Sequence, residues 1–572
     1  MNEPRSGSAA SSEPKPSGSA GATESLAGAE TVRPVRFRDS WKTGLLRITT
    51  VRIIVQAVMF GLFVAFALLT TFSNVDRCPA LCFWLGTFLE IDPLIALATA
   101  ITTHTVYAGL LWSLIILIPT FFLGRFFCGW ICPYGTLHHF IGWLFRSRQA
   151  RTVDANRYRR SQHVKYYILA AMLVAAVFGT LQIGLLDPLC LLYRSTTGAV
   201  LPALGMPAPD LFGEPRYCGG AWLIGALLFG LLAMNLVVPR FFCRVLCPLG
   251  ALLGVVSRLA WWRVDRVPGA CTGCDQCRLH CEGACDPHIR LRRAECLVCF
   301  NCIEDCPERA LRFACFPDRK HEIVGTDVSR RKLIFAGLAG LLFGPFVRTS
   351  GRQTRDFPSD LIRPPGAVEE LEFLERCVKC AQCARVCPTN VIQPALVEAG
   401  LEGLWTPRMN FRIGHCQLYC TACDDVCPTG ALERVSIDRK LGLGEFTRIG
   451  PIRLGTAHID PARCLPHGKS VPCVVCEEVC PTSPKAIYSE RVTRTLRDGE
   501  VVELRVPRVD IDRCIGCGLC EHACPVVGDQ RAIYVTAEGE SRSQDHPDPD
   551  RNRSVRLRPA AAPARVDPRL QL

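Results

Sequence analysis

No C-x-x-C-H segment occurs anywhere in the 572 residues, so covalently attached c-type haem is excluded by that test. No pair of histidines stands at matching depth on facing apolar runs, which leaves no basis for a bis-histidine haem b. A recognisable signalling domain is missing as well, which argues against a redox-sensing regulator. The formal charge of +13 forms no continuous basic face, since its residues flank apolar runs or lie in a polar tail. Nucleic acid is therefore not an expected partner. Residues 1–32 hold almost no large apolar side chain and read as a disordered tail, as do residues 539–572.

Cysteine and apolar length are what the chain has in excess. Its mean hydropathy is +0.19, high for a chain of this size, and it carries 34 cysteines. Four apolar runs, 51–72, 106–123, 164–186 and 221–238, approach the roughly 20 residues that cross a bilayer as helix. The loop between the second and third runs is rich in Arg and Lys, so the positive-inside rule puts that loop, the N-terminus and the chain after the fourth run in the cytoplasm. The expected fold is an α-helical membrane domain of four transmembrane helices, with a short fifth span as an option, joined to α+β cluster domains of the bacterial ferredoxin kind. The expected domains are 45–265 for the membrane part, 266–320 for a two-cluster module, 327–350 for an apolar connector, and 366–538 for a four-cluster module.

The spacing of the cysteines indicates their chemistry. C-x2-C-x2-C-x3-C-P wraps three thiolates around one [4Fe-4S] cubane and sends the fourth to a neighbour. Cys296, Cys299, Cys302 and Cys306 follow it, as do Cys377, Cys380, Cys383 and Cys387, and Cys514, Cys517, Cys520 and Cys524. Two groups differ only in a longer first gap: Cys416, Cys420, Cys423, Cys427 and Cys464, Cys473, Cys476, Cys480. In the sixth group, Cys271, Cys274, Cys277 and Cys281, Glu282 stands where proline is expected, and Cys285 offers an alternative fourth ligand. Spacing favours Cys281. Six groups of four predict about six [4Fe-4S] clusters in three paired modules. Structural zinc also takes four thiolates, but as two separated C-x2-C knuckles, which fits this pattern less well.

A second motif is duplicated: Arg125-Phe126-Phe127-Cys128-x3-Cys132-Pro133 and Arg240-Phe241-Phe242-Cys243-x3-Cys247-Pro248. Four thiols at matching depth are candidates for a metal or cluster site, for a redox dithiol, or for packing alone. Tyr134, His138 and His139 follow the first copy and are the candidate proton-handling residues for quinol oxidation. Cys78, Cys82, Cys190 and Cys218 fall on the opposite, oxidising side, where disulfides are an option.

With its two R-F-F-C-x3-C-P copies, the first half resembles the NapH/MauN-type membrane ferredoxins, relatives of NosR and CcoG. The second half, from Ser329, resembles the NapG/MauM-type four-cluster ferredoxins, so the chain looks like a fusion of the two. The resemblance implies a quinol dehydrogenase component that passes electrons from the membrane quinone pool to a downstream redox protein or reductase. It also implies that groups one and four, and two and three, of the second half exchange their last ligand. The alternative it carries is copper handling or oxidase assembly of the CcoG kind, through Cys128, Cys132, Cys243 and Cys247. Ser329-Arg330-Arg331-Lys332 ahead of an apolar run resembles a twin-arginine signal. The expected placement is thus a multi-pass protein of the bacterial inner membrane with its last ferredoxin domain in the periplasm.

Overall fold

Helix starts in the first half follow the duplication. The computed structural model describes residues 47–72, 89–105, 108–145, 156–206, 216–317, 322–323, 328–349, 361–495, 500–528 and 530–542. The tail 1–32, most of the tail 539–572, Cys78 and Cys82 lie outside them. Asp92-Pro93 opens the helix Pro93–Thr103, and Asp187-Pro188 opens Pro188–Ser195. In each, the carboxylate caps the first amides, Leu94 at 2.7 Å and Cys190 at 2.9 Å, while proline fills a position whose N–H would be unpaired anyway. Cys132-Pro133 and Cys247-Pro248 start Pro133–Leu144 and Pro248–Val256 with proline in the same place, and Cys247 Sγ also accepts from Gly250 N–H at 3.1 Å. The C-P dipeptides of the repeat therefore act as helix starts as well as thiol positions.

The apolar runs form shorter helices than expected. Among the described residues, one helix is long and apolar enough to cross a membrane, Ile48–Leu69 within Ile48–Phe72. The run 106–123 is divided between a 3-10 segment, Ala108–Ser113, and the ten-residue helix Leu114–Leu123, which contains Pro119. The run 164–186 stops helically at Val177, where Phe178 leads into Gly179 at φ 76°. The run 221–238 leaves the α-helix at Ala233. At about 1.5 Å per residue these pieces reach about 15–21 Å, short of the roughly 30 Å hydrocarbon core. The expected four-span membrane domain, the multi-pass inner-membrane placement and the sidedness counted from it are overturned. The runs are apolar as expected, but three of the four are interrupted. The connector forms the helix Arg330–Thr349, which packs along Val164–Val177 so closely that a Cβ on Gly340 would overlap the Ala171 carbonyl.

The remainder is α+β, with short helices between small two-stranded sheets. Trp262–Arg266 pairs antiparallel with Leu311–Cys315 to frame the module between them. In the second half Ile392–Pro394 pairs with Pro407–Met409, Thr456–Ile459 with Ile533–Thr536, and Ile487–Thr495 with Val501–Val509. Residues from Leu45 on form one compact unit, and Val378 and Cys380 of the second half sit in the hydrophobic core of the first.

Candidate cluster-binding sites

Four of the C-x2-C-x2-C loops share a backbone signature. The residue before the second cysteine and the residue after it are both left-handed. These are Gly273 (φ 71°) and Asp275 (59°), Val298 (49°) and Phe300 (61°), Lys379 (58°) and Ala381 (68°), and Gly516 (66°) and Gly518 (76°). Glycine adopts this conformation freely, whereas a β-branched valine there is a true outlier of the kind that clusters at functional sites. The turn it makes aims amides at sulfur: Val298 N–H donates to Cys296, Lys379 N–H to Cys377 and Leu519 N–H to Cys517. In the two stretched groups the residue after the second cysteine has a negative φ and a ψ near zero instead, Thr421 at φ −124°, ψ 11° and Val474 at φ −129°, ψ 7°. Lys440 ties down one of these longer loops, donating to Cys416 Sγ at 3.4 Å and to the Cys420 carbonyl at 2.6 Å.

The fourth cysteines cross over between neighbouring groups. Cys427 faces Cys377, Cys380 and Cys383, while Cys387 faces Cys416, Cys420 and Cys423. One cavity is lined by Cys480 with Cys514, Cys517 and Cys520, and another by Cys524 with Cys464, Cys473 and Cys476. Groups one and two therefore exchange, as do three and four, in place of the expected one with four and two with three. The reason is packing: Gln382–Val386 lies against Ala422–Asp425, and Val475–Glu478 against Leu519–Ala523. Cys416 N–H donates to the Cys517 carbonyl at 2.9 Å, which sets the second pair beside the first. In the first half Cys277 faces Cys281, Cys306, Cys274 and Cys271, while Cys302 faces Cys299, Cys296, Cys281 and Cys277, so Cys281 faces both groups.

The donor sets fit iron–sulfur clusters. Burial and mutual repulsion push the Cys380, Cys476 and Cys517 thiols up to about 12, so four such sulfurs ionise together only around positive charge. Among the described residues no three His, Cys, Asp or Glu side chains form a coordination sphere for a single metal ion. Sulfurs around a cubane stand farther apart than those around one zinc, in keeping with the cavities here.

The duplicated motif also converges. Cys132 faces Cys128 and Cys243, and Cys247 faces all three. Burial raises Cys132 and Cys247 well above the ordinary thiol range. Each copy's arginine is buried and bound to an acid of the adjoining ferredoxin module: Arg125 to Glu295 at 3.7 Å, and Arg240 to Glu282. Arg52 joins Glu282 at 2.7 Å, and these cations hold its carboxyl far below the usual range despite its burial. Glu282 thus replaces the expected proline because that position faces a buried cationic pocket. Trp130 Nε1 donates to the Val298 carbonyl at 2.9 Å, so the repeat lies directly against the Cys296–Cys302 loop.

Tyr134, His138 and His139 lie next to this set but differ in access. Tyr134 and His138 are fully buried, with ring centroids 4.8 Å apart. Burial, reinforced by Arg240, lowers His138 to about 3. His139 alone reaches solvent, about a third exposed, with Nε2 3.5 Å from Glu282 and Nδ1 3.2 Å from Gln56 Oε1. Sequence reasoning missed the roles of Arg125, Arg240 and Glu282, although all three were visible as repeat or departure. It also missed the junction of the halves. Arg194 donates to the Lys379 carbonyl at 2.9 Å and stacks 4.2 Å over Trp405, and the fully buried Lys379 reaches Gln182 at 2.5 Å. Cys190, an unpaired thiol like Cys218, faces Cys380 there.

Comparison with known proteins finds iron–sulfur families along the chain. A 4Fe-4S binding domain family matches residues 105–152 and 219–267, which hold the two copies of the repeat. A 4Fe-4S dicluster domain family matches 376–431, which holds the two groups that exchange ligands, and another 4Fe-4S binding domain family matches 505–526. The chain is 35% identical over 219 residues to the methylamine utilization ferredoxin-type protein MauM of Methylorubrum extorquens, covering 36% of this chain and 88% of that protein. It is 36% identical over 180 residues to the ferredoxin-type protein NapG of Escherichia coli, covering 30% and 69%. MauM of Methylobacillus flagellatus is 30% identical over 226 residues, covering 38% and 83%. No solved structure matches.

Proposed function

Because the chain belongs to the ferredoxin-type 4Fe-4S protein family that includes MauM and NapG, we propose that it is a multi-cluster relay taking electrons from a quinol to a downstream redox protein or reductase. Electron transfer through 4Fe-4S domains comes with the family. The observation that carries it is the series of crossed thiol quartets, because a relay needs sites in contact and each exchanged cysteine joins two of them. Six quartets hold clusters: Cys271, Cys274, Cys277 with Cys306; Cys296, Cys299, Cys302 with Cys281; Cys377, Cys380, Cys383 with Cys427; Cys416, Cys420, Cys423 with Cys387; Cys514, Cys517, Cys520 with Cys480; and Cys464, Cys473, Cys476 with Cys524. Cys128, Cys132, Cys243 and Cys247 form a further thiol site against the second of these.

The clusters, when bound, supply one-electron carriers, and the protein sets their potentials by amide donors to sulfur and by burial. His139 is the proton acceptor for quinol. It is the accessible member of the trio, and Gln56 holds it against Ile48–Phe72, whose outward Ile53, Ile54 and Val58 suit contact with lipid. Protein purified without oxygen should carry about 24 irons in the six quartets, four to a cluster. A quinol should reduce those clusters in the parent chain but not after Cys128→Ser with Cys243→Ser, while dithionite reduces both. About eight irons, or undiminished quinol reduction in the double variant, overturns the relay.

A further inference from the structure

The first cysteine group holds one thiol more than a quartet requires. Cys281 has the ferredoxin spacing, yet Cys285 is buried beside it with the two sulfurs 3.5 Å apart. Cys285 N–H also donates to Cys281 Sγ at 3.4 Å, and its thiol hydrogen-bonds with Cys296. One additional sulfur therefore touches two sulfurs of the set made by Cys281, Cys296, Cys299 and Cys302.

The backbone around it is constrained to bring this about. Ala284 (φ 50°) and Asp286 (φ 47°) are both left-handed, although neither is glycine, and they flank Cys285 directly. Before them, the Glu282 side chain is held by Arg52 and Arg240, and its carbonyl accepts from Arg244 at 2.9 Å. Gly283 is pressed against the Glu295 carbonyl, where a Cβ would overlap it. After them, Asp286 pairs with Arg278 at 3.6 Å, and the Cys285 carbonyl accepts from Arg292 N–H at 3.0 Å. A cysteine needed only for packing does not require strain on both sides and an anchor at each end.

We propose that Cys281 and Cys285 are interchangeable fourth ligands of the site formed by Cys296, Cys299 and Cys302. This rests on the cluster reading above. In the exchange one iron–sulfur bond passes from Cys281 to Cys285 while the proton of Cys285 passes to Cys281 across the 3.5 Å gap. No electron or co-reactant is consumed. The unbound thiol of the pair donates to the bound sulfur in either state, but only an unbound Cys285 also reaches Cys296. Hydrogen bonds to ligand sulfur tune a cluster's potential, so the two states differ in potential and one site has two settings.

The test uses the full chain purified anaerobically, with iron and sulfide counts, electron paramagnetic resonance and redox titration. Cys281→Ala and Cys285→Ala alone should each keep the parent iron content while shifting the signal and midpoint of one cluster. The double variant should lose about four irons. Loss of about four irons from either single variant overturns the exchange, as does a Cys285→Ala protein with unaltered spectrum and midpoint, or a double variant that keeps all its iron. The iron retained elsewhere reports that the fold survives. Cys302→Ala separates the two levels of the argument: loss of about four irons upholds the cluster at this site, whereas no loss overturns the cluster reading itself.

Discussion

Cys427 lies in the second group of the second half but faces Cys377, Cys380 and Cys383, so removing it should empty the first group's site. Its sulfur also accepts the Leu432 N–H at 3.4 Å, a contact outside its own group. With six clusters of four irons the parent chain carries about 24, and Cys427→Ala should carry about 20. Cys380→Ala should give the same count and the same change in the reduced spectrum. Non-additivity then locates the ligands, because two changes at one site can empty it only once. Cys380→Ala with Cys427→Ala should still hold about 20 irons, whereas Cys420→Ala with Cys427→Ala should hold about 16. The assay is iron and acid-labile sulfide per chain on anaerobic protein, with the spectrum of the reduced form. If the Cys420/Cys427 pair holds about 20 irons and the Cys380/Cys427 pair about 16, each group keeps its own fourth thiol and the exchange is refuted.

Glu282→Gln leaves Arg52 and Arg240 buried without their counter-charge, which should cost about 3–5 kcal/mol and appear as a lower unfolding midpoint; an unchanged midpoint counts against the network. His138 is held neutral with its value near 3, so below about 6.5 the unfolded chain gains a proton that the folded chain refuses. Stability should fall by about 2 kcal/mol between pH 7 and 5, and His138→Gln should flatten that slope. Glu282 acts in a separate, lower window: its contribution is complete above the ordinary carboxylate value and is lost only as pH falls through its depressed one. At the junction, a Cβ on Gly184 would overlap the Val378 carbonyl. Gly184→Ala should therefore cost about 1–3 kcal/mol by overpacking and speed protease cleavage between the halves; cleavage at the parent rate means the junction is slack.

Local information determined a great deal. The spacing of Cys377, Cys380 and Cys383, and of the five comparable groups, marked cluster chemistry because one short loop must wrap one cubane. The repeated R-F-F-C-x3-C-P announced a duplication, and C-P and D-P announced helix starts, since capping is a matter of two or three residues. Composition also signalled apolar helices, but not where Pro119 or Gly179 would cut them, so four spans were expected where, among the described residues, one helix is long and apolar enough. What needed the tertiary structure was every pairing across the chain. The partner of Cys427, the pocket that takes Glu282, and the contrast between sealed His138 and accessible His139 depend on elements distant in sequence. Spacing limits which sulfurs share a loop, whereas the packing of one short helix against another decides which sulfur reaches across.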